Sequence, residues 1–249
     1  MGNGVSAEEA EAVGYRVLGV QPASPASGAG LVSFLDFVVE CDGTELKELD
    51  STLIDKIKAF EDKPLACKIY NIKSRQTREV IITPRRGWGG HGLLGVTIRF
   101  DTYFKADEQL VRVLEIEDGS PAQIAGLRPQ SDYLLGTAER AFADASALNE
   151  ECARHLNRPV EFYAYNVDTD EVRVITVLPT HDWGGKGLLG AAVAHGYLHR
   201  LPARCRNTNG ISVEPERPVH PNARNAMSDL DTPAPAAPAD GAPPLPHST

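Results

Sequence analysis

The chain has 249 residues, of which 42% are hydrophobic and 24% are charged, proportions that are typical of globular proteins. Its formal net charge of −9 argues against a polyanionic partner, so we expect no nucleic-acid ligand. No apolar stretch approaches the roughly 18 residues that a transmembrane helix needs, and the first residues lack the apolar core of a signal peptide. We therefore expect neither a membrane span nor export by the usual route.

The chain begins Met-Gly-Asn-Gly-Val-Ser, in which Gly2 and Ser6 match the pattern for N-myristoylation. The alternative is an ordinary frayed terminus. A single myristoyl chain binds membranes only marginally, with an association constant on the order of 10⁴ M⁻¹, so a lipidated chain needs a second attachment. Because the sequence has no polybasic patch, we expect that attachment to come from a partner protein or from self-association. We assign residues 1–12 to this lipidated segment.

Short runs rich in β-branched and aromatic residues follow, each bounded by turn residues, which is the pattern of β-strands. Between them Leu53, Ile54 and Ile57 recur at helical spacing, with Asp50 or Ser51 available as the N-cap. In the first half of the chain these patterns predict strands at 15–20, 37–41, 66–71, 78–83 and 94–100, and a helix at 51–60.

The second half of the chain repeats the first. The run Trp-Gly-Gly-X-Gly-Leu-Leu-Gly occurs at 88–95 and again at 183–190, and Ser-Pro-Ala, Ala-Gly-Leu and Asp-aromatic segments recur at nearly the same interval. One structural unit has therefore been duplicated. The second copy predicts strands at 111–116, 133–136, 160–166, 172–178 and 189–193, and a helix at 146–155. The expected fold is α+β and mainly β: two small, partly open β-barrels, each capped by a helix.

Beyond residue 206 the composition changes, because residues 207–249 contain no aromatic side chain and are rich in proline and alanine. Such a segment cannot bury enough apolar surface to fold. We predict a disordered tail over 207–249.

The repeated glycine run has three interpretations. Its Gly-X-Gly-X-X-Gly spacing matches a dinucleotide fingerprint, but that motif opens a helix, whereas here a strand pattern follows. A glycine-rich turn that enters an edge strand instead presents backbone N–H groups that can hold the carboxylate of an added peptide, as in PDZ domains. The third interpretation is a tight turn with no ligand.

Nothing in the sequence indicates catalysis or metal binding. His195 and His199 have the spacing of metal ligands on a helix, but Gly196 and the preceding strand pattern argue against a helix. No nucleophile motif or carboxylate pair recurs between the repeats, so we expect no enzyme, no cofactor and no metal. The four cysteines form no Cys-X-X-Cys pair and predict reduced thiols: Cys41, Cys67, Cys152 and Cys205.

Taken together, these motifs resemble the Golgi reassembly and stacking protein (GRASP) family from residue 1 to about residue 202. The features that carry the resemblance are Gly2, the duplicated segments and the closing Gly-Tyr-Leu-His-Arg-Leu-Pro at 196–202. The resemblance implies tandem, circularly permuted PDZ-like domains at 13–105 and 106–202, with the groove strand last in each. It also implies a myristoylated peripheral protein on the cytoplasmic face of the Golgi, which tethers membranes by self-association and binds the C-terminus of a golgin.

Carried over by position, the resemblance implies two peptide-binding grooves and one internal ligand. The first groove comprises Leu93, Leu94, Gly95, Val96, Ile98, Leu53 and Ile57. The second comprises Leu188, Leu189, Gly190, Ala191, Val193 and Leu148. The internal ligand, which would enter the first groove of a neighbouring molecule, comprises Tyr197, Leu198, His199, Arg200, Leu201 and Pro202.

The chain departs from the family pattern in three places. Lys56 stands where relatives have an apolar residue, which leaves open an adaptor that binds the C-termini of golgins or cargo without self-association. Arg16 and Asp101 replace a histidine and a cysteine, so a metal shared with a golgin is not expected. The tail is short, and Thr232 is the residue in its one Ser/Thr-Pro step, a candidate phosphorylation site for a proline-directed kinase.

Overall fold

The computed structural model describes residues 11–213, which form two six-stranded β-sheets with a few short helices. The lipidation candidate Gly2, the phosphorylation candidate Thr232 and residues 214–249 of the predicted tail lie outside the described residues. The fold-class prediction is confirmed, since the chain is mainly β and the same unit occurs twice.

The first repeat forms one antiparallel sheet in the order β5-β4-β2-β1-β6, with β3 paired to β2. Its last strand, β6, pairs with its first, β1, and the edge strands β5 and β6 do not pair with each other. The sheet is therefore open. Its elements are β1 Val13–Val20, α1 Pro25–Gly28, β2 Asp36–Cys41, β3 Thr44–Glu45, α2 Thr52–Ala59, β4 Leu65–Asn71, β5 Gln76–Ile82 and β6 Val96–Thr102.

The second repeat has the same strand order, β10-β9-β8-β7-β11, and adds one further strand outside β10. That strand, β12, runs parallel to β10, whereas every other pairing in the two sheets is antiparallel. Its elements are β7 Val111–Ile116, α3 Pro121–Ile124, β8 Asp132–Gly136, α4 Ala145–Arg154, β9 Val160–Asn166, β10 Glu171–Val177, β11 Ala191–Ala194 and β12 Ile211–Ser212.

The repeated Ser-Pro-Ala segments begin the short helices α1 and α3. The Ser24 side chain accepts a hydrogen bond from the Ser27 N–H at 3.1 Å, and Pro25 occupies the first turn, where no N–H is required. Ser120 and Pro121 repeat this arrangement. The recurrence in the sequence is thus a repeated helix cap.

The repeated Asp-aromatic pair places a buried carboxylate at the start of β2 and of β8. Asp36 is fully buried and accepts hydrogen bonds from Asn71 at 2.7 Å and from Arg78 at 2.9 and 2.5 Å. Asp132 has the same relation to Asn166 and Arg173, with distances of 2.7, 3.0 and 2.6 Å. A buried charge is tolerated when it is paired and fully hydrogen-bonded, which explains why both aspartates recur.

The two repeats share a hydrophobic core. One buried cluster contains Phe34 and Phe37 of the first repeat, Tyr133 and Tyr165 of the second, and Leu201 from beyond it. The repeats are therefore packed on each other and on the segment that follows them, and are not separated by a linker.

Residues 201–213, which we call the C-terminal clasp, join both repeats. The fully buried Lys73 donates to the carbonyl oxygen and the hydroxyl of Thr208 at 2.7 and 2.6 Å, and its ammonium lies 2.8 Å from Asp170. The Ser33 N–H of the first repeat donates to the Ser212 hydroxyl at 2.8 Å. The prediction that the tail begins at residue 207 is wrong for residues 207–213, because strand pairing and these polar contacts fix them without much apolar burial.

Among the described residues, no helix combines the length and the apolar character that a bilayer span needs.

Candidate functional site

The first candidate groove would lie between the edge strand β6 and the helix α2, whose side chains pack on the same hydrophobic cluster. β6 pairs with β1 on one side only, so its other side presents unpaired backbone groups to an added strand. Leu53 of α2 is buried in the core below, and Ile57 is half-buried beside it. An extended peptide could thus pair with β6 and pack against α2.

The structure brings the predicted groove residues together. Leu94, Val96 and Ile98 are half-buried against the cluster that contains Leu53, and Ile57 packs on the same cluster. Leu93 is half-buried and Gly95 is buried at the entrance. In the second repeat Leu188, Ala191 and Val193 pack against the cluster that contains Leu148 and Leu189. Leu148 is fully buried, so it supports the floor of the second groove and does not face a ligand.

The glycines of the repeated motif close a loop around its tryptophan. A Cβ added to Gly90 would overlap the Trp88 ring, and one added to Gly95 would lie 2.6 Å from the ring and overlap Ser24. The Trp88 indole N–H donates to the Gly92 carbonyl at 3.0 Å. Trp183 makes the same bond to Gly187. Close packing against the tryptophan ring thus explains why Gly90 and Gly95 are glycines, which their spacing alone did not indicate.

In the loop that enters β6, the backbone carbonyl groups accept hydrogen bonds, whereas the backbone N–H groups donate none within the described residues. The carbonyl oxygens of Leu93, Leu94 and Gly95 accept bonds from backbone N–H groups at 2.9, 3.0 and 2.8 Å. Within residues 11–213, none of the three N–H groups of these residues donates a hydrogen bond. Three successive free donors at the end of an apolar groove can receive a carboxylate.

The second loop has the same pattern. The carbonyl oxygens of Leu188, Leu189 and Gly190 accept bonds at 3.2, 2.9 and 2.8 Å, while their N–H groups donate none to any part of the chain that the structure describes. The duplicated sequence therefore gives two equivalent entrances.

Lys56 does not leave an isolated charge beside the first groove. Its ammonium lies 2.6 Å from the Asp42 carboxylate, in the turn between β2 and β3. The Asp50 side chain accepts from the Thr52 N–H at 2.9 Å and so caps α2, whereas Ser51 bonds Asp55. The helix α2 is thus held at its first turn by Asp50 and, through Lys56, by Asp42.

The segment predicted to be an internal ligand is divided by the fold. Tyr197 and Leu198 are 61% and 85% exposed, in a short 3-10 helix at Tyr197–His199. Leu201 is buried in the core that the repeats share, and the Arg200 carbonyl accepts a bond from the Tyr133 hydroxyl at 3.4 Å. The first part of the segment is accessible, and the second part holds its own chain together.

Arg16 and Asp101 form an ion pair across strands β1 and β6. The Arg16 Nε lies 3.0 Å from the Asp101 carboxylate, and the Arg16 guanidinium lies 4.7 Å from the centre of the Phe37 ring. Burial lowers the pKa of Arg16, and Asp101 opposes that shift. Arg16 and Asp101 therefore make a structural contact with each other.

Sequence reasoning missed Arg78 and Arg173, which hold the two buried aspartates. The two arginines are 95 residues apart, which is the interval of the duplication. Their equivalent positions in the two repeats could have identified them from the sequence. It also missed the clasp, since Lys73 and Thr208 are 135 residues apart and carry no motif.

The sequence profile of the GRASP55/65 PDZ-like domain matches residues 3–98 and 68–204. The human protein Golgi reassembly-stacking protein 1 is 39% identical over 206 residues, which cover 82% of this chain and 47% of the human protein. Its Mus musculus counterpart is 37% identical over 205 residues, covering 82% and 46%.

An uncharacterised protein of Schizosaccharomyces pombe is 32% identical over 200 residues, which cover 80% of this chain and 56% of the yeast protein. The chain thus spans about half the length of the curated relatives it matches. The family profile covers both repeats and their strand order agrees, so the chain belongs to the GRASP55/65 PDZ-like domain family.

Proposed function

We propose that the chain is a peripheral scaffold on the cytoplasmic face of Golgi membranes that tethers cisternae through its first groove. The observation that carries this proposal is the open edge of β6, which ends in the three free N–H groups of Leu93, Leu94 and Gly95. The printed names of the human and mouse relatives refer to Golgi reassembly and stacking. Myristoylation of Gly2 would supply the first membrane attachment.

In this scheme, the C-terminus of a golgin binds by adding a strand to β6. Its terminal carboxylate accepts hydrogen bonds from the three free N–H groups, and its last apolar side chain packs on Leu94 and Ile57. Main-chain pairing supplies affinity and the apolar contact supplies specificity.

Self-association uses the apolar wall of the same groove, including Leu94, but not its free N–H groups. The segment Tyr197–Pro202 of a neighbouring molecule has no free carboxylate, so it cannot use the N–H groups as a C-terminus does. Because Leu201 is buried in its own chain, Tyr197 and Leu198 are the large apolar side chains that the segment exposes without local unfolding. We infer that these two side chains enter the first groove of the neighbour and that homo-oligomers form in this way.

The second candidate function is an adaptor that binds C-terminal peptides of golgins or cargo and does not self-associate. The ion pair of Lys56 with Asp42 favours it, because a charged side chain on α2 replaces an apolar contact with a neighbour. Sedimentation separates the two functions: dimers that increase with concentration support the tether, and a monomer at all concentrations supports the adaptor.

The decisive experiment is aggregation of beads coated with residues 1–213. The coated beads should aggregate, and Leu94→Asp should abolish aggregation, because a carboxylate would be placed in the apolar groove beside the ligand. Ile81→Asp is the matched control: Ile81 is 67% exposed on β5, the opposite edge of the same sheet, so this variant should aggregate normally. Normal aggregation of a folded Leu94→Asp protein would reject the groove as the tether.

A further inference from the structure

A cavity of about 350 Å³ lies between the second sheet and the clasp, and none of the predicted groove residues lines it. Its walls come from β7, from β8 with the turn before it, and from the segment after β11. The polar and aromatic side chains around it are Arg112, Gln130, Tyr133, Tyr197, Arg200 and Arg204. We call it the arginine cavity.

Two of the three arginines have no acidic partner in the part of the chain that the structure describes. Arg112 donates to the backbone carbonyl and the side-chain oxygen of Gln130, both at 3.1 Å, and its Nε is buried without a partner. The Arg200 guanidinium stacks on the Tyr197 ring at 4.0 Å and forms no ion pair within residues 11–213. Unpaired arginines side by side are unexpected in a chain with a net charge of −9, in which carboxylates are abundant.

The third arginine is only loosely neutralised. Arg204 lies 3.2 Å from Asp168, and both side chains are largely exposed. Exposed ion pairs of this kind contribute little and separate easily. Three guanidiniums and one carboxylate leave the cavity with two net positive charges.

Tyr133 lies at the centre of this group. Burial raises the pKa of its hydroxyl, and the nearby Arg112, Arg204 and Arg206 oppose that shift. The hydroxyl remains protonated at neutral pH, and its one bond within the described residues is a long one of 3.4 Å, to the Arg200 carbonyl. It is therefore a neutral donor next to several charged donors.

Packing alone does not account for this arrangement. Stacking on Tyr197 explains the position of Arg200, and the bonds to Gln130 explain one end of Arg112. Neither contact explains why two guanidiniums without an acidic partner among residues 11–213 line the same cavity. A ligand with several acceptor oxygens would neutralise these two guanidiniums.

We propose that the arginine cavity binds a phosphate monoester dianion, either as a free small molecule or as the headgroup of a lipid. The planar fork of a guanidinium matches phosphate oxygens in pairs, and a dianion matches the two net positive charges of the cavity. The cavity shares Tyr197 with the segment proposed to tether a neighbouring molecule, but its arginines lie outside both peptide grooves, so phosphate binding by a single chain does not require tethering. A lipid bound there would give the chain a second membrane attachment, in addition to an acyl chain.

The first test measures binding of glycerol 3-phosphate and inorganic phosphate to the full chain by titration calorimetry. Arg112→Gln and Arg200→Gln should each weaken binding about tenfold, because a hydrogen bond to a charged group is lost. Arg158→Gln is the matched control with the same change of charge: Arg158 is exposed after α4 and does not line the cavity, so binding should not change. Thermal unfolding of each variant shows whether it is folded.

The second test separates the two sources of the phosphate. The unmyristoylated chain is mixed with phosphatidylcholine vesicles that contain either phosphatidic acid, a monoester, or phosphatidylglycerol, a diester, at equal surface charge. If the chain sediments with phosphatidic acid vesicles but not with phosphatidylglycerol vesicles, and Arg112→Gln abolishes that sedimentation, the ligand is a lipid headgroup. If the chain binds glycerol 3-phosphate but sediments with neither kind of vesicle, the ligand is a soluble molecule.

Three results would overturn the proposal. They are the absence of binding to every one of these probes, equal binding to both kinds of vesicle, and binding that Arg112→Gln and Arg200→Gln leave unchanged. Binding only to a phosphoserine peptide would also overturn it, in favour of a protein partner.

Discussion

At the residue scale, Gly92 and Gly95 have the same backbone requirement but different surroundings. Both adopt positive φ, +74° and +66°, which disfavours any other residue. A Cβ on Gly92 would meet open space, whereas one on Gly95 would meet Ser24 and, at 2.6 Å, the Trp88 ring. Gly95 is therefore required by packing as well as by conformation.

We expect Gly95→Ala to lower the free energy of unfolding by about 3 kcal/mol, combining left-handed strain with overpacking. Gly92→Ala, the control, should cost about 1 kcal/mol because only the strain applies. Urea denaturation of both variants measures the difference. Equal costs would mean that the loop does not close on Trp88.

The recurrence of the glycines could be predicted from the sequence, but their contact with the indole could not. The spacing left a carboxylate-binding turn and an empty tight turn as alternatives, and the ring contact is compatible with either. Which residue packs on Trp88 depends on how the loop folds back toward Ser24, 64 residues earlier in the chain.

At the scale of elements, the strand and helix predictions agree with the structure to within two residues at each end. Alternating burial explains this success: along β4, Leu65, Cys67 and Ile69 are buried, and Ala66 and Lys68 between them are not. The sequence did not predict β12, because two residues are too few to show the alternation of apolar and polar side chains that marks a strand. It forms only because β10 provides an edge that local sequence does not reveal.

A chain that ends at Arg206 should therefore be less stable than one that ends at Val213. Truncation removes Thr208 from the buried Lys73 and removes the β12 pairing with β10, so buried donors lose their partners. We expect a loss of about 3 kcal/mol, given about 1–3 kcal/mol for each unsatisfied buried group. Chemical denaturation of residues 1–206 and 1–213 tests this, and identical midpoints would show that the clasp contributes nothing.

At the scale of the whole molecule, carboxylates connect the clasp to both repeats. Asp107 lies 2.8 Å from Arg75 of the first repeat and 2.7 Å from Arg206 of the clasp. Asp170 of the second repeat lies 2.8 Å from Lys73 of the first. Because these contacts join residues that are far apart in sequence, they could not be predicted from local patterns.

These carboxylates should make stability depend on acid pH. Burial alone raises the pKa of Asp107, but hydrogen bonds from Arg75 and Arg206 outweigh it and hold that pKa below its usual range. The pKa of Asp170 is lowered in the same way, with Lys73, Thr208 and Tyr165 outweighing burial. A carboxyl group with a lowered pKa in the folded state stabilises that state above its unfolded pKa of about 3.9, and this contribution is lost as the pH falls through the folded value.

We therefore expect the free energy of unfolding to fall when the pH drops from 6 to below about 4. Asp107→Asn should cost about 3 kcal/mol at pH 6, because two arginines lose their partner, and the gap to the unmodified chain should narrow steadily below pH 4. Asp62→Asn is the control, since Asp62 is exposed and forms no ion pair within residues 11–213. Urea denaturation at several pH values gives the curves; a constant gap from pH 6 to pH 2 would show that the charge of Asp107 does not link the clasp to the repeats.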